Sequence, residues 1–253
     1  MTLPVVYTLV YLVASIALCA ILNSRHIHAT YPAFYRYSFF QAFASATSLV
    51  VWLLFFDLTN FWTYYILIFP SGILAFLAAR ELAQKLLGPE GALPAWVSIR
   101  FKTMIWTGIA AALTVSVLFK FHIGGSLTHL MVKAEQWMAG ALFVTFFAIL
   151  IFWRTLKVFR RQTRAASICL GFVLSYTVSI LAVFVRGRGG LEMAQVAQQV
   201  GMIADIAALF WWGGLILMRA PVFKKATGEQ VQQVLNEFRK TQQAAIRAAV
   251  IPR

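Results

Sequence analysis

The stretch "LPVVYTLVYLVASIALCAILN" at residues 3–23 contains no charged side chain. A helix of about 20 predominantly apolar residues crosses the hydrocarbon core of a bilayer, and this stretch has that length. It carries neither the basic start nor the small-residue cleavage site that are typical of a signal peptide. We therefore expect an uncleaved transmembrane helix at this position.

Similar apolar runs recur along the whole chain, which is 61% hydrophobic and 12% charged, with a mean hydropathy of +0.77. A soluble domain has about twice that charged fraction. The strands of a membrane β-barrel would give short alternating segments, whereas these runs are long and continuous. The sequence predicts an all-α membrane protein, with a seven-transmembrane helix bundle over residues 1–220 and a cytoplasmic tail over 221–253. The predicted spans are 3–23, 34–56, 60–84, 102–121, 137–158, 165–186 and 196–218.

The lysines and arginines divide unequally between the alternate loops that these spans create. Only four of the 22 fall on one side, namely Lys120, Lys133, Arg186 and Arg188. Cytoplasmic loops carry the excess of basic residues in membrane proteins. The pattern therefore predicts a multi-pass protein of the bacterial inner membrane, with its N-terminus outside and its C-terminus in the cytoplasm.

The same distribution accounts for the isoelectric point of about 10.3. In a soluble protein such a value would suggest binding to nucleic acid. Here the positive charges lie at helix ends on one membrane face, where they attract anionic lipid headgroups. We expect membrane lipids as partners and no nucleic acid.

The sequence lacks the residue patterns of known membrane enzymes and cofactor sites. It contains no Gly-x-Ser-x-Gly elbow, no phosphate-binding Walker loop and no HExxH motif. The last predicted span has no lysine to hold retinal, and all four histidines lie in predicted loops without the spacing of metal ligands. We expect a non-enzymatic protein with no cofactor and no metal.

One carboxylate interrupts the last span, in "GMIADIAALFWWGG" at residues 201–214. An aspartate near the bilayer centre costs about 2.5–3.5 kcal/mol on insertion scales, so Asp205 is expected to face the bundle and to have a partner. No lysine or arginine lies at that depth in another predicted span. Two interpretations remain: an interhelical hydrogen bond, or a site for a proton, an ion or a ligand. Neutral candidate partners at similar depth are Thr47, Ser48, Thr114, Ser175, Tyr176 and Ser179.

Two further features suggest a place for a ligand. Pro70, in "FPSGIL" at residues 69–74, predicts a helix kink that opens a pocket or serves as a hinge, although ordinary bending explains it equally well. Trp211 belongs to an aromatic run that either lines a cavity or packs against lipid. The candidate ligand-binding residues are therefore Asp205, Pro70, Tyr176, Ser175 and Trp211.

The tail ends with "GEQVQQVLNEFRKTQQAAIRAAVIPR" at residues 228–253. Its apolar residues recur at steps of three and four, and Gln, Glu, Arg and Lys occupy the opposite face, which predicts an amphipathic helix. Such a helix either lies on the inner leaflet or docks on a membrane or cytoplasmic partner. The candidate interaction residues are Val231, Leu235, Phe238, Arg239 and Lys240.

Several loosely defined aromatic and basic segments also carry a family resemblance. These are "YPAFYRY" at the start of the second span, "FWTYYILIFPSGILAFLAARELAQKLLG" through the third and "WRTLKVFRR" at the end of the fifth. In these segments the chain resembles the uncharacterised seven-span membrane proteins that are abundant in acidobacterial genomes. The resemblance implies the helical fold and the bacterial inner membrane, and it carries over no activity and no functional residue.

Three functions remain compatible with the sequence. The first is a sensor or adaptor that passes information to a partner through its tail. The second is an accessory or structural subunit of a larger membrane complex. The third is a small-solute or proton-coupled transporter that uses Asp205, although no internal repeat of the kind found in transporters is visible.

Reporter fusions in a bacterial inner membrane test the predicted orientation. Alkaline phosphatase needs disulfides, which form outside the cytoplasm. We therefore expect a phosphatase fusion after His122 to be active and one after Arg253 to be inactive. Phosphatase activity at the C-terminal position would place the tail outside and overturn the prediction.

Overall fold

The computed structural model describes residues 3–54, 58–87, 95–118, 126–155, 163–188 and 190–217. These residues are almost entirely helical, as expected for a chain whose backbone polar groups must be satisfied within each segment in lipid. The described helices are α1 (Leu3–Ser24), α2 (Ile27–Thr30), α3 (Pro32–Leu54), α4 (Leu58–Leu87), α5 (Ala95–Leu118), α6 (Ser126–Thr155), α7 (Thr163–Arg188) and α8 (Gly190–Leu217).

Six of these helices are long and apolar enough to cross a membrane, namely α1, α3, α4, α6, α7 and α8. They coincide with six of the seven predicted spans, so the chain is a helical multi-pass membrane protein. The remaining prediction, 102–121, falls on α5, which is not among the six. The predicted amphipathic tail lies outside the described residues.

The helices pack mainly against the helices that precede or follow them in the chain. α7 packs against α6 and α8, α3 packs against α1 and α4, and α1 also contacts α8. α4 contacts α6 and α7 as well, which places it beside the centre of the bundle. α5 packs chiefly against α6.

Small residues bring α5 and α6 close together. A Cβ atom added to Gly140 would lie 2.9 Å from Cβ of Ala112, and one added to Gly108 would overlap the side chain of Val144. Glycine and alanine at such positions let two helix backbones approach, which is how membrane helices gain packing contacts.

A short connection between α1 and α3 is tied to the end of α4. His26 adopts a left-handed conformation with φ 52° ahead of the single turn α2. The carboxylate of Glu81 accepts hydrogen bonds from the backbone N–H groups of Ala33 at 3.0 Å and Phe34 at 3.1 Å. These are first-turn donors that a helix leaves unsatisfied, and they favour a negative charge. Glu81 therefore sets where α3 begins.

A cluster of aromatic rings fills the bundle between α3, α6, α7 and α8. We call Phe34, Tyr37, Phe146, Phe172 and Trp212 the aromatic cluster. Phe172 is at its centre: its ring stacks on Phe146 with centroids 4.3 Å apart and contacts Tyr37 at 5.0 Å and Trp212 at 4.8 Å. Such offset and edge-on contacts are each worth about 0.5–1.5 kcal/mol beyond area burial.

Truncation of the central ring tests how far stability depends on this cluster. Phe172 is fully buried, so Phe172→Ala leaves a cavity and is expected to lower the free energy of unfolding by about 3–5 kcal/mol. The matched control is Leu174→Ala on the same helix, because Leu174 is 53% exposed and its loss removes few protein contacts. Unfolding of each purified variant by sodium dodecyl sulfate in mixed micelles measures its free energy of unfolding. Equal decreases in the two variants would contradict the central role of Phe172.

Candidate functional site

A cavity of about 350 Å³ lies between α1, α3, α4, α6, α7 and α8. Its lining combines an apolar surface with hydroxyl, phenol, amide and carboxyl groups. The polar lining residues are Tyr7, Thr8, Tyr11, Tyr37, Gln41, Ser45, Ser48, Tyr64, Ser71, Glu135, Ser175, Tyr176, Ser179 and Asp205.

The cavity occupies one half of the bundle. α1, α4 and α6 contribute residues from their N-terminal halves, such as Tyr7, Tyr64 and Glu135. The hydroxyl of Tyr64 donates a hydrogen bond of 2.6 Å to Glu135 at this end. The other half is filled by the aromatic cluster and by buried aliphatic side chains such as Leu22 and Leu82. The cavity is therefore one-sided.

Asp205 lies at the inner part of this cavity. The hydroxyl of Ser175 on α7 donates a hydrogen bond of 2.5 Å to its Oδ1, which links α7 to α8. Other candidate hydroxyls are used within their own helices: Thr47, Thr114 and Ser179 each donate to the backbone carbonyl four residues earlier. Ser175 is thus the partner that the tertiary structure selects.

Three tyrosines line the cavity together with Asp205. They are Tyr11 from α1, Tyr37 from α3 and Tyr176 from α7. Tyr37 and Tyr176 also lie against Phe172 of the aromatic cluster, at 5.0 and 6.2 Å between ring centroids. These two rings therefore form the floor of the cavity.

An amide connects three further helices at the cavity wall. The side-chain nitrogen of Gln41 donates a hydrogen bond of 2.5 Å to Ser71, and its oxygen accepts one of 3.4 Å from Tyr11. This chain of contacts joins α1, α3 and α4. This half-buried amide, with partners on both sides, holds these helices in one register.

Two of the predicted ligand-binding residues lie elsewhere. Pro70 is exposed inside the continuous helix α4 and does not line the cavity, whereas Gly72 next to it does. Trp211 is 42% exposed and donates its indole N–H to the carbonyl of Ser167 at 3.1 Å, away from the cavity. The predicted residues that the structure brings together are Asp205, Ser175 and Tyr176.

Sequence reasoning found Ser48 on α3 but missed the contribution of α1 and the rest of α3, although a signal for them exists. Tyr37, Gln41, Ser45 and Ser48 follow one another at helical steps of three and four along α3. A polar stripe of this kind in an otherwise apolar helix indicates a face that is turned toward polar surroundings. Tyr7 and Tyr11 repeat the pattern on α1.

The remaining predictions receive no test from this part of the chain. Among the described residues, no group of three histidine, cysteine, aspartate or glutamate side chains is placed to hold a metal ion. The tail residues Val231, Leu235, Phe238, Arg239 and Lys240 lie outside the described residues.

No protein family matches the chain, and neither a curated protein nor a solved structure matches it. The resemblance to the acidobacterial membrane proteins therefore stays a prediction.

The substitution Asp205→Asn tests how much the charge of Asp205 contributes to the stability of the bundle. Asparagine retains an oxygen that accepts the hydrogen bond from Ser175, and such bonds between membrane helices contribute only about 0.6–2 kcal/mol. We expect the variant to unfold within about 1 kcal/mol of the wild type in mixed micelles. A loss above about 3 kcal/mol would show that the charge itself holds α7 and α8 together.

Proposed function

We propose that this protein is a heptahelical sensor of the bacterial inner membrane that binds a small molecule in the cavity and passes its occupancy to a partner through the C-terminal tail. The observation that carries the proposal is the one-sided polar cavity around Asp205. Ligand sites in proteins are concave, largely preformed and furnished with a few convergent polar groups. A carboxylate inside a membrane bundle is expensive and is most simply explained by a function.

The proposed seventh span is α5. It contains 24 residues, and at 1.5 Å per residue it is about 36 Å long, which exceeds the thickness of the hydrocarbon core. Its small residues pack closely on α6, as membrane helices do. Trp106 and Ile99 on its surface are 69% and 64% exposed, as expected for side chains that face lipid.

The proposed orientation directs the cavity toward the outside of the cell. Basic residues favour an outer N-terminus, and the cavity lies at the end of the bundle where α1, α4 and α6 begin. A molecule that arrives from outside would therefore reach Asp205 without crossing the packed half. A one-sided site of this kind suits a sensor.

The geometry also supports a route for the signal. Asp205 and Trp212 lie roughly two turns apart on α8, the helix that leads into the tail. Trp212 packs in the aromatic cluster together with Tyr37, and Tyr37 also lines the cavity. A ligand that binds one packing arrangement of these rings better than another shifts the population of α8 positions. The tail, whose sequence is amphipathic, would then present or withdraw its apolar face.

The experiment that tests the proposal is purification from native membranes in a mild detergent, followed by mass spectrometry of co-purifying molecules. The test variant is Ala44→Phe, which fills the cavity because Ala44 lines it. The matched control is Val50→Phe on the same helix, where the side chain is 52% exposed outside the bundle. We expect a small molecule to accompany the wild type and the control, and to be depleted by about tenfold or more from Ala44→Phe, which corresponds to about 1.4 kcal/mol.

Retention of the same molecule by Ala44→Phe would show that the cavity does not hold it. If the wild type co-purifies with a stoichiometric membrane protein and with no small molecule, the sensor proposal is wrong. The alternative, a subunit of a larger membrane complex, then takes its place. Circular dichroism and the gel-filtration volume of each variant confirm that the fold is intact.

A further inference from the structure

We propose that the ligand of this cavity is a small organic cation, a protonated amine or a quaternary ammonium ion. This inference rests on the proposed function, because it names the chemical class of the molecule that the cavity binds. It follows from the charge of the lining, the hydrogen bonding of Asp205, the surrounding rings and the size of the space.

Among the described residues, the charged side chains that line the cavity are all acidic. Its ionisable carboxyl side chains are Glu135 and Asp205, and no lysine, arginine or histidine is among the residues that line the cavity in the described part of the chain. Glu135 accepts a hydrogen bond from Tyr64 toward one end, and Asp205 lies deeper. A carboxylate in a low-dielectric site is costly unless an opposite charge accompanies it. At Asp205, whose donor among the described residues is the neutral hydroxyl of Ser175, a cationic ligand supplies that charge, whereas an anion would be repelled.

Asp205 has an oxygen available for such a ligand. Within the described residues, its hydrogen-bond donor is Ser175, which bonds Oδ1. Oδ2 is therefore left to accept from an ammonium group in the cavity. Hydrogen bonds between ionised partners are roughly twice as strong as those between neutral ones.

The aromatic side chains suit the same ligand. Tyr11, Tyr37 and Tyr176 line the same cavity as Asp205 and come from three different helices. Aromatic rings attract organic cations through their quadrupole, and rings grouped with an acid are the usual way in which proteins bind alkylammonium ions. At the cavity wall, the hydroxyl of Ser71 and the side-chain amide of Gln41 add neutral polar contacts.

The size of the space suits a small organic molecule and exceeds that of a bare ion. A volume of about 350 Å³ corresponds to roughly a dozen water molecules at about 30 Å³ each. This is the room that an arylalkylamine or a short quaternary ammonium compound occupies. The combination of volume, rings and acid therefore favours an organic cation over an inorganic one.

The test is isothermal titration calorimetry of the full-length protein in dodecyl maltoside micelles, which carry no charge, in a buffer that contains no amine. The probe is benzyltrimethylammonium, with 3-phenylpropionate as the anion of similar size and empty micelles as the baseline. We expect saturable binding of the cation and binding of the anion that is weaker by about tenfold or more, the factor that corresponds to about 1.4 kcal/mol.

Three variants assign the binding to the proposed groups. Asp205→Asn keeps the hydrogen bond to Ser175 and is expected to weaken cation binding by about tenfold or more. Tyr11→Phe and Tyr11→Leu both remove the hydroxyl that bonds Gln41, and Tyr11→Leu, which also removes the ring, is expected to bind the cation more weakly than Tyr11→Phe. Thermal unfolding of each variant in the same micelles verifies that it is folded.

Two results would overturn the inference: equal affinity for the cation and the anion, or unchanged cation affinity in Asp205→Asn. Neither result depends on the sensor proposal, which the native-membrane experiment decides. A neutral or anionic molecule that co-purifies with the wild type and is lost from Ala44→Phe would refute the cation inference and leave the sensor proposal intact. If no small molecule co-purifies with the wild type, the sensor proposal itself is refuted.

Discussion

The stacking of Phe146 on Phe172, with ring centroids 4.3 Å apart, is the contact on which the rest of the bundle depends. In lipid, burial of apolar groups between helices gains little from the hydrophobic effect, because the acyl chains are as apolar as the core. Close packing of large rigid rings supplies the dispersion energy instead. Phe172 contacts rings from α3, α6 and α8 as well as its own neighbour Tyr176, so one side chain fixes four helices relative to one another.

The polar groups of the bundle divide into two kinds with different consequences. Many hydroxyls, such as those of Ser38 and Thr145, return to a carbonyl of their own helix and need no partner elsewhere. Others join side chains of different helices, such as Gln41 with Ser71 and Ser175 with Asp205, and these bonds lie in the half of the bundle that the rings leave unfilled. In the packed half, Glu81 and Trp212 bond backbone groups of neighbouring helices instead. The cavity is therefore a consequence of packing the large side chains on one side and the polar ones on the other.

Two residues belong both to the lining of the cavity and to the half of the bundle that the aromatic cluster fills. They give the proposed sensor a physical basis. Tyr37 and Tyr176 line the cavity with one part of their surface and pack on Phe172 with another. Any ligand that moves these rings also moves the surface against which Trp212 on α8 rests. The organic cation that we propose would act at this junction, because Asp205 lies on the same helix as Trp212.

The sequence by itself determined that the chain forms apolar helices that span a membrane, because in lipid each segment must satisfy its own backbone hydrogen bonds. It also indicated Asp205 and a hydroxyl partner, because an isolated carboxylate at that depth is costly. Where a helix carries no such polar group, only the tertiary structure decided which face turns inward. It also buries Trp212 and leaves Trp211 at 42% exposed, and it turns Pro70 outward while Gly72 packs on Met138. The physical reason is that lipid and core are equally apolar, so hydrophobic periodicity does not specify the rotation of a membrane helix, and contacts with its neighbours do.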